Sequence, residues 1–149
     1  MEKGEQAKNL FLDGHNCAQA VLCTFAEEIG LSQEQARHIS ACFGGGLGGQ
    51  REVCGAVSAM CIVLSVKYAP QDPKDHAAKT AFYARIQEIC RRFKEENGSI
   101  ICRELLGLAP HVTAQAPAPR TAQYYQRRPC PDKVKSAAAL LTQYLAEQK

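Results

Sequence analysis

The stretch FGGGLGGQREVCGAVSAMC, from Phe43 to Cys61, places a very flexible backbone directly before a thiol. Five glycines fall within positions 44–49, and Cys54 follows after four further residues. Glycine reaches backbone conformations that other residues avoid, so the run predicts the end of one helix and a tight loop. The chain after the loop repeats apolar residues at the spacing of one helical face: Val53, Val57, Met60, Cys61, Leu64 and Tyr68. The loop is therefore expected to deliver Cys54 to the first turn of a new helix. The β-branched residues of CIVLSV leave a short strand as the alternative.

Helical patterns extend outward from this stretch in both directions. Before it, NCAQAVLCTFAEEIG has Asn16 as its predicted N-cap and Gly30 as its predicted end. SQEQARHISACF opens with the capping-box pair Ser32 and Gln35 and places one apolar side inward: Ala36, Ile39 and Phe43. After it, three more segments read as helices: KDHAAKTAFYARIQEICRRFKEENG with Gly98 as its predicted end, SIICRELLG with Ser99 as its cap, and CPDKVKSAAALLTQYLAEQ with Pro131 in its first turn.

The remaining long segment, residues 108–129, is rich in proline and alanine and has little periodicity. A loop of that length in a compact domain is typically either functional or mobile. No internal repeat and no convincing pair of strands is present. The sequence therefore predicts one all-α domain over residues 1–149, a bundle of about six to seven helices.

The composition of the chain argues against two classes of function, nucleic-acid binding by aromatic stacking and membrane insertion. The chain has 149 residues and a net charge of +3, with no tryptophan and few other aromatic residues. With so few aromatic residues, a stacking platform for single-stranded nucleic acid is not expected. The longest apolar run, within 59–66, is too short to cross a bilayer, and no stretch resembles a signal peptide. We therefore expect a cytoplasmic protein without membrane insertion, whose eight cysteines bind metal, carry redox chemistry or pack in the core.

The cysteines sort by their place along the predicted helices. Four lie at helix N-termini: Cys17, Cys54, Cys102 and Cys130. A helix N-terminus offers free N–H groups and partial positive charge, which favour the thiolate and make the sulfur a better nucleophile and metal ligand. The other four lie inside helices or at a helix end: Cys23, Cys42, Cys61 and Cys90. Inert packing stays the alternative for any single cysteine, because free cysteine is often buried as a small apolar residue.

These residues resemble a known family, the small redox-active proteins named for the cysteine pattern C_GCAxxG_C_C. The similarity rests on NCAQAVL around Cys17, GGGLGGQREVCGAVSA around Cys54, SIICRELLG around Cys102 and RPCPDKV around Cys130. It covers nearly the whole chain in the right order. The closing glycine of the motif is Ala59 here, which implies slightly looser packing at that point rather than loss of the cysteine function. The resemblance implies that these four cysteines are the functional set and that the chemistry is redox. It implies no particular substrate or mechanism.

The glycine run also matches G-x-G-x-x-G by letter, at Gly44, Gly46 and Gly49. A dinucleotide site is not expected, because that motif follows a strand within a βαβ unit. Instead, we predict that the loop wraps the redox centre and points N–H groups at sulfur, which would tune a cluster. The residues expected to contact a cofactor are Gly44, Gly45, Gly46, Gly48, Gly49 and Gly55. A plain flexible connection is the alternative.

Other side chains are weaker candidates. His15 is two residues before Cys17, and Arg51 is close enough in sequence to lower the pKa of Cys54. A structural histidine and an exposed loop arginine are the commoner cases. The other histidines, His38, His76 and His111, show no metal-ligand spacing. A basic and aromatic patch precedes Cys130 and suits an acidic electron-transfer partner or a solvated loop: Tyr124, Tyr125, Arg127 and Arg128.

Four hypotheses remain from the sequence. The first is an iron–sulfur electron carrier whose metal ligands are Cys17, Cys54, Cys102 and Cys130. The second is a metal-free thiol–disulfide protein that uses the same residues in pairs. The third is a structural zinc site in a binding module, and the fourth is a helical interaction domain with inert cysteines. We expect a protein redox partner and no nucleic acid. Self-association stays open, and no acid–base or serine–histidine set indicates a hydrolytic enzyme.

Overall fold

The computed structural model describes residues 1–108, 119–121 and 128–149, and the secondary structure in these ranges is helical. The helices are α1 (Lys3–Leu12), α2 (Cys17–Phe25), α3 (Gln33–Ser40), α4 (Gly55–Tyr68), α5 (His76–Asn97), α6 (Cys102–Leu105) and α7 (Cys130–Glu147). Two 3-10 turns, Glu27–Ile29 and Ala41–Phe43, and one distorted turn, Gly44–Leu47, connect them. The all-α prediction is confirmed, and CIVLSV is helical. Most of the predicted loop 108–129 lies outside the described residues.

The predicted helix ends are largely confirmed. Asn16 and Ser32 each close a capping box, with Gln19 and Gln35 respectively. Gly30 and Gly98 end their helices in the left-handed conformation. Ser99 differs from the prediction. Ile101 holds the cap position of α6, while the Ser99 hydroxyl accepts a hydrogen bond from the Ile101 N–H at 2.9 Å.

The helix after the glycine loop also begins later than expected. Cys54 is the N-cap of α4 rather than a residue of its first turn, and Val53 lies outside the helix. Val53 instead forms an isolated antiparallel bridge with Ile101. The N–H of Cys54 donates to the carbonyl of Ile100 at 2.8 Å, and the N–H of Cys102 donates to the carbonyl of Glu52. These bonds hold the starts of α4 and α6 side by side.

Helix α1 was not predicted, because its buried positions carry small residues. Gly4, Ala7 and Phe11 form the buried face and pack against α7. A Cβ atom on Gly4 would lie 3.2 Å from the carbonyl oxygen of Lys135, so the two backbones approach closely. Only Phe11 of the three gives a strong hydrophobic signal, which explains the missed periodicity.

The core forms around α2, which is buried at Ala18 and throughout 20–25 and packs against α1, α3, α4 and α7. Helix α5 joins this core through Ile89 and Phe93. Ile39 of α3 was expected to face inward, but its side chain is 45% exposed because the chain turns into the 3-10 segment directly after it. Within the described residues, no helix is both long and apolar enough to cross a membrane.

Candidate functional site

One cavity of about 320 Å³ is lined by all four cysteines found at predicted helix starts: Cys17, Cys54, Cys102 and Cys130. Three of them are the first residues of α2, α6 and α7, and Cys54 caps α4. Four helix N-termini therefore meet around one space. Its volume lies at the lower end of the range typical of pockets that bind small ligands, about 300–1,000 Å³.

The glycine loop forms part of the cavity wall. Gly44, Gly45, Gly48, Gly49 and Gly55 line it, whereas Gly46 is buried behind it. A Cβ atom on Gly46 would lie 2.6 Å from the Glu52 backbone nitrogen and 2.7 Å from the Cys102 Cβ. The loop contains a run of left-handed residues: Gly45, Gly46, Leu47, Gly48, Gly49 and Arg51. Leu47 and Arg51 are not glycine, so the left-handed conformation strains their backbone. Backbone strain of this kind is typical of functional sites.

Cys17 has the most activated sulfur of the site. Its sulfur accepts a hydrogen bond from the Cys54 thiol and from three backbone N–H groups, those of Gly45, Gly55 and Ala18. These donors outweigh burial and lower the pKa of Cys17 to about 6, with the Cys54 thiol the largest contributor. Cys54 is the proton donor of the pair, and this bond, its burial and the neighbouring charge raise its pKa well above the ordinary value.

Cys102 and Cys130, like Cys54, have pKa values above that of an ordinary thiol. Burial raises the pKa of Cys102, and the Arg51 guanidinium opposes that rise, with Nη1 3.6 Å from the Cys102 Sγ. Arg51 was considered as a partner of Cys54, the nearest cysteine in sequence. The structure places its guanidinium beside Cys102 instead, because the backbone of Arg51 pairs with that of Arg103, the neighbour of Cys102. Burial and the charges of Cys17 and Cys102 raise the pKa of Cys130 to about 12.

The cavity wall is basic. Among the described residues that line it, four are basic and none is acidic; the basic ones are Arg51, Arg120, Arg128 and Lys133. The Nε of Arg51 is buried with no hydrogen-bond partner in the described part of the chain. A buried N–H donor without an acceptor lowers the stability of the fold unless a group in the cavity accepts its hydrogen bond. The wall therefore suits an anionic occupant.

The remaining candidates fall away from the cavity. His15 pairs its Nδ1 with the Leu10 carbonyl at 3.2 Å, and its own carbonyl accepts a hydrogen bond from Arg120. It is a structural residue rather than a wall residue. His38 and His76 do not line the cavity either. His111, Tyr124, Tyr125 and Arg127 lie outside the described residues. Arg128, the member of the predicted patch that the structure describes, lines the cavity.

The four sulfurs surround the cavity rather than converge on one point. Within the described ranges, no group of three or more histidine, cysteine, aspartate or glutamate side chains is arranged to hold a metal ion. A structural zinc ion would need its cysteine ligands about 2.3 Å from a common centre. The arrangement does not match that geometry.

A small helical protein with four cysteines at helix starts around one basic cavity fits the class of redox-active proteins. The family described as "Putative redox-active protein (C_GCAxxG_C_C)" matches residues 15–144, and the chain belongs to this family. The chain is also similar to an uncharacterized protein of Archaeoglobus fulgidus, at 27% identity over all of this chain and 99% of the relative. No solved structure matches the chain.

Proposed function

We propose that the protein is an electron carrier whose cavity holds an iron–sulfur cluster ligated by Cys17, Cys54, Cys102 and Cys130. One observation carries the proposal: four cysteines from four separate helix starts line a single cavity of about 320 Å³. Iron–sulfur clusters are held by four cysteine thiolates and supply one-electron transfer when bound. In a cubane cluster each cysteine binds a different iron, so sulfurs spread around a wall suit a cluster better than a single ion.

The surroundings of the sulfurs fit an anionic cluster. The helix starts bring partial positive charge to the wall, and the four basic side chains add full charges. Backbone N–H groups hydrogen-bond to the Cys17 sulfur: that of Gly45 comes from the glycine loop, and those of Gly55 and Ala18 come from the starts of α4 and α2. Hydrogen bonds to cluster sulfur and net charge nearby both set the reduction potential. In this proposal the loop and Arg51 are the residues that tune the potential.

Gly55 contributes the space that the centre needs. A Cβ atom at this position would lie 2.6 Å from the Cys17 Sγ and 2.7 Å from the Phe43 carbonyl oxygen. Neither distance is compatible with a side chain. Glycine after Cys54 therefore lets the first turn of α4 lie directly against the Cys17 sulfur.

A second candidate is metal-free thiol–disulfide exchange, which the contact between Cys17 and Cys54 favours. A thiolate with a pKa of about 6 is mostly ionised at neutral pH and can attack a disulfide. Cys54, held beside it as a hydrogen-bond donor, is placed to resolve the resulting mixed disulfide. This chemistry uses two of the four cysteines and leaves the other two and the size of the cavity unexplained, so it ranks second.

The electron-transfer partner that suits this site is a protein with an acidic docking surface. The basic wall residues Arg120, Arg128 and Lys133 stand beside the cysteines, where opposite charge would steer an encounter. We further propose a cytoplasmic location, where a reducing environment keeps uncoordinated thiols reduced.

Anaerobic purification with analysis of iron, acid-labile sulfide and zinc, together with an absorption spectrum, tests the proposal. We expect iron and sulfide in matched amounts and a brown protein, with both lost in Cys54→Ser. The matched control is Cys42→Ser, because Cys42 is exposed and does not line the cavity; this variant should keep full iron. Iron-free protein in which Cys17 and Cys54 form a reversible disulfide would replace the first candidate with the second.

A further inference from the structure

Two cysteines outside the cavity face each other across the interface of α4 and α5. Cys61 lies in the middle of α4 and Cys90 in the second half of α5. Both are half-buried, both pack against the core, and neither lines the cavity. The two helices pack directly together.

A cation–π contact also joins these two helices. The Arg85 guanidinium of α5 stacks on the Tyr68 ring of α4, 4.0 Å from its centre. Cys61 comes two helical turns before Tyr68, and Cys90 comes about one and a half turns after Arg85. In an antiparallel pair of helices these steps run in the same direction along the interface. Both cysteines therefore lie on the same side of the Arg85–Tyr68 contact along the packed interface.

The thiols interact as donor and acceptor. Cys61 donates a hydrogen bond to the Cys90 sulfur, which raises the pKa of Cys61 and lowers that of Cys90. The pair thus has one sulfur favoured as attacking thiolate and one that keeps its proton. Both side chains are short, and a disulfide between them would join α4 and α5 at their packed interface.

We propose that Cys61 and Cys90 form a second redox site, a reversible disulfide between α4 and α5 that is separate from the four-cysteine cavity. The oxidant is a low-molecular-weight disulfide of the glutathione class. The proposal does not depend on a cluster in the cavity, because it uses none of the cavity cysteines.

The exchange proceeds in two steps. The Cys90 thiolate attacks one sulfur of the small disulfide, forms a mixed disulfide and releases one small thiolate. The Cys61 thiol then loses its proton to solvent, attacks the Cys90 sulfur and releases the second small thiolate. In total the protein pair gives up two electrons and two protons, and the small disulfide becomes two thiols.

The bond would act on the helix that carries the cavity. Cys54 caps α4, and Cys61 lies two turns further along the same helix. A disulfide at Cys61 would fasten α4 to α5 across the connection that contains Pro70 and Pro73. Oxidation would then restrict the motion of the element that positions Cys54.

The test equilibrates the full-length, anaerobically purified protein in glutathione buffers of increasing oxidised fraction, alkylates free thiols and maps tryptic peptides by mass spectrometry. Trypsin releases Cys61 within residues 52–67 and Cys90 within residues 86–91. We expect these two peptides to become linked, with a loss of two alkylatable thiols per chain that reduced glutathione reverses. Since peptide 52–67 also contains Cys54, the link must disappear in Cys61→Ser and in Cys90→Ser and persist in Cys54→Ser.

Three results would overturn the proposal. The first is full alkylation of Cys61 and Cys90 at every glutathione ratio. The second is a link that survives in Cys61→Ser, which would assign it to Cys54. The third is parallel oxidation of Cys23 and Cys42, which would show unselective chemistry. Iron and sulfide in Cys61→Ser and Cys90→Ser are measured alongside, so failure of the cluster proposal is visible separately.

Discussion

The cysteines of the cavity and the cysteines of the α4–α5 interface differ in what faces the sulfur. Cys17 begins a helix, and three backbone N–H groups together with one thiol point at it. Cys61 and Cys90 lie within helices, where backbone N–H groups are already used in helical bonds, so each thiol faces the other. Cys17 is therefore activated mainly by its thiol neighbour and by backbone N–H groups at a helix start, whereas Cys90 is activated by a neighbouring thiol in a helix interior. Of the four cysteines at helix starts, Cys17 alone is activated in this way, because burial raises the pKa of Cys102 and Cys130 despite their position.

The backbone differs between the two regions as well. The cavity wall contains a run of left-handed residues that includes Leu47 and Arg51, whereas α4 and α5 are regular around their cysteine pair. Residues other than glycine cost about 1–2 kcal/mol in this conformation. The chain accepts that cost next to the sulfurs, where the loop must bend to aim its N–H groups. The predictions below test whether this local geometry serves the centre or only the fold.

The largest effect is expected from Gly55→Ala. The new Cβ would lie 2.6 Å from the Cys17 Sγ, so the sulfur or the start of α4 must move. Crowding of this kind typically costs about 1–3 kcal/mol of folding free energy. We expect loss of most of the bound iron and sulfide in a protein that still folds, measured by metal analysis beside urea unfolding.

Gly98→Ala provides the matched control for that substitution. Gly98 has a positive φ of 95°, and a Cβ there would meet nothing within 4 Å. Alanine at this site should cost about 1–2 kcal/mol through backbone strain alone and leave iron content unchanged. Equal iron loss in both variants would mean that iron binding follows the global stability of the fold. The geometry of the cavity wall at Gly55 would then have no special role.

A smaller effect concerns the acidity of Cys17 in metal-free protein. Because the thiolate is the reactive form, alkylation of Cys17 should rise through pH 6 and level off by about pH 8, given its pKa of about 6. Cys54→Ala removes the largest contribution and should move the midpoint up toward the ordinary value of about 8.5. Peptide mapping after brief alkylation at each pH measures this. A wild-type midpoint near 8.5 would contradict the hydrogen-bonded thiolate.

The same acidity has a consequence for stability. The pKa of Cys17 is lower in the folded protein than in the unfolded chain, so its contribution is complete above the unfolded value and lost as pH falls through about 6. Between these limits the metal-free protein should gain at most about 1.4 kcal/mol per pH unit as pH rises. Urea unfolding at several pH values checks the slope, which Cys17→Ser should remove.

The sequence was informative where local chemistry decides the structure. The capping boxes at Asn16 and Ser32 and the glycine ends at Gly30 and Gly98 are short-range patterns, and all were predicted. The grouping of Cys17, Cys54, Cys102 and Cys130 also followed from short-range patterns, because each cysteine could be placed at a helix start. Their meeting in one cavity could not be predicted, since it depends on bonds between distant segments, such as the one between the Cys102 N–H and Glu52.

Long-range packing also explains what was missed. Helix α1 was not predicted because Gly4 and Ala7 are small residues. They are buried because the α1 backbone approaches α7 closely, and they give no strong hydrophobic signal. The pairing of Cys61 with Cys90 depends on how α4 and α5 align, which periodicity within either helix does not reveal. Arg51 was expected near Cys54 by sequence distance, but the long-range backbone bond from the Arg103 N–H to the Arg51 carbonyl brings it beside Cys102.

The smallest effect is expected from substitution of Arg51. This substitution tests whether the guanidinium acts on Cys102 by direct contact or only as one of the positive charges nearby. The guanidinium lies 3.6 Å from the Cys102 Sγ and opposes the rise in the pKa of Cys102 that burial causes. Arg51→Gln should therefore raise this pKa further and slow alkylation of Cys102 severalfold at fixed pH, whereas Arg51→Lys should restore part of the rate. Arg103→Gln is the control, because Arg103 adjoins Cys102 in sequence but binds the Gln50 carbonyl and Glu52 instead. If Arg103→Gln slowed alkylation as much as Arg51→Gln, the general positive charge of the region would govern the sulfur, and the directed contact from the loop would have no special role.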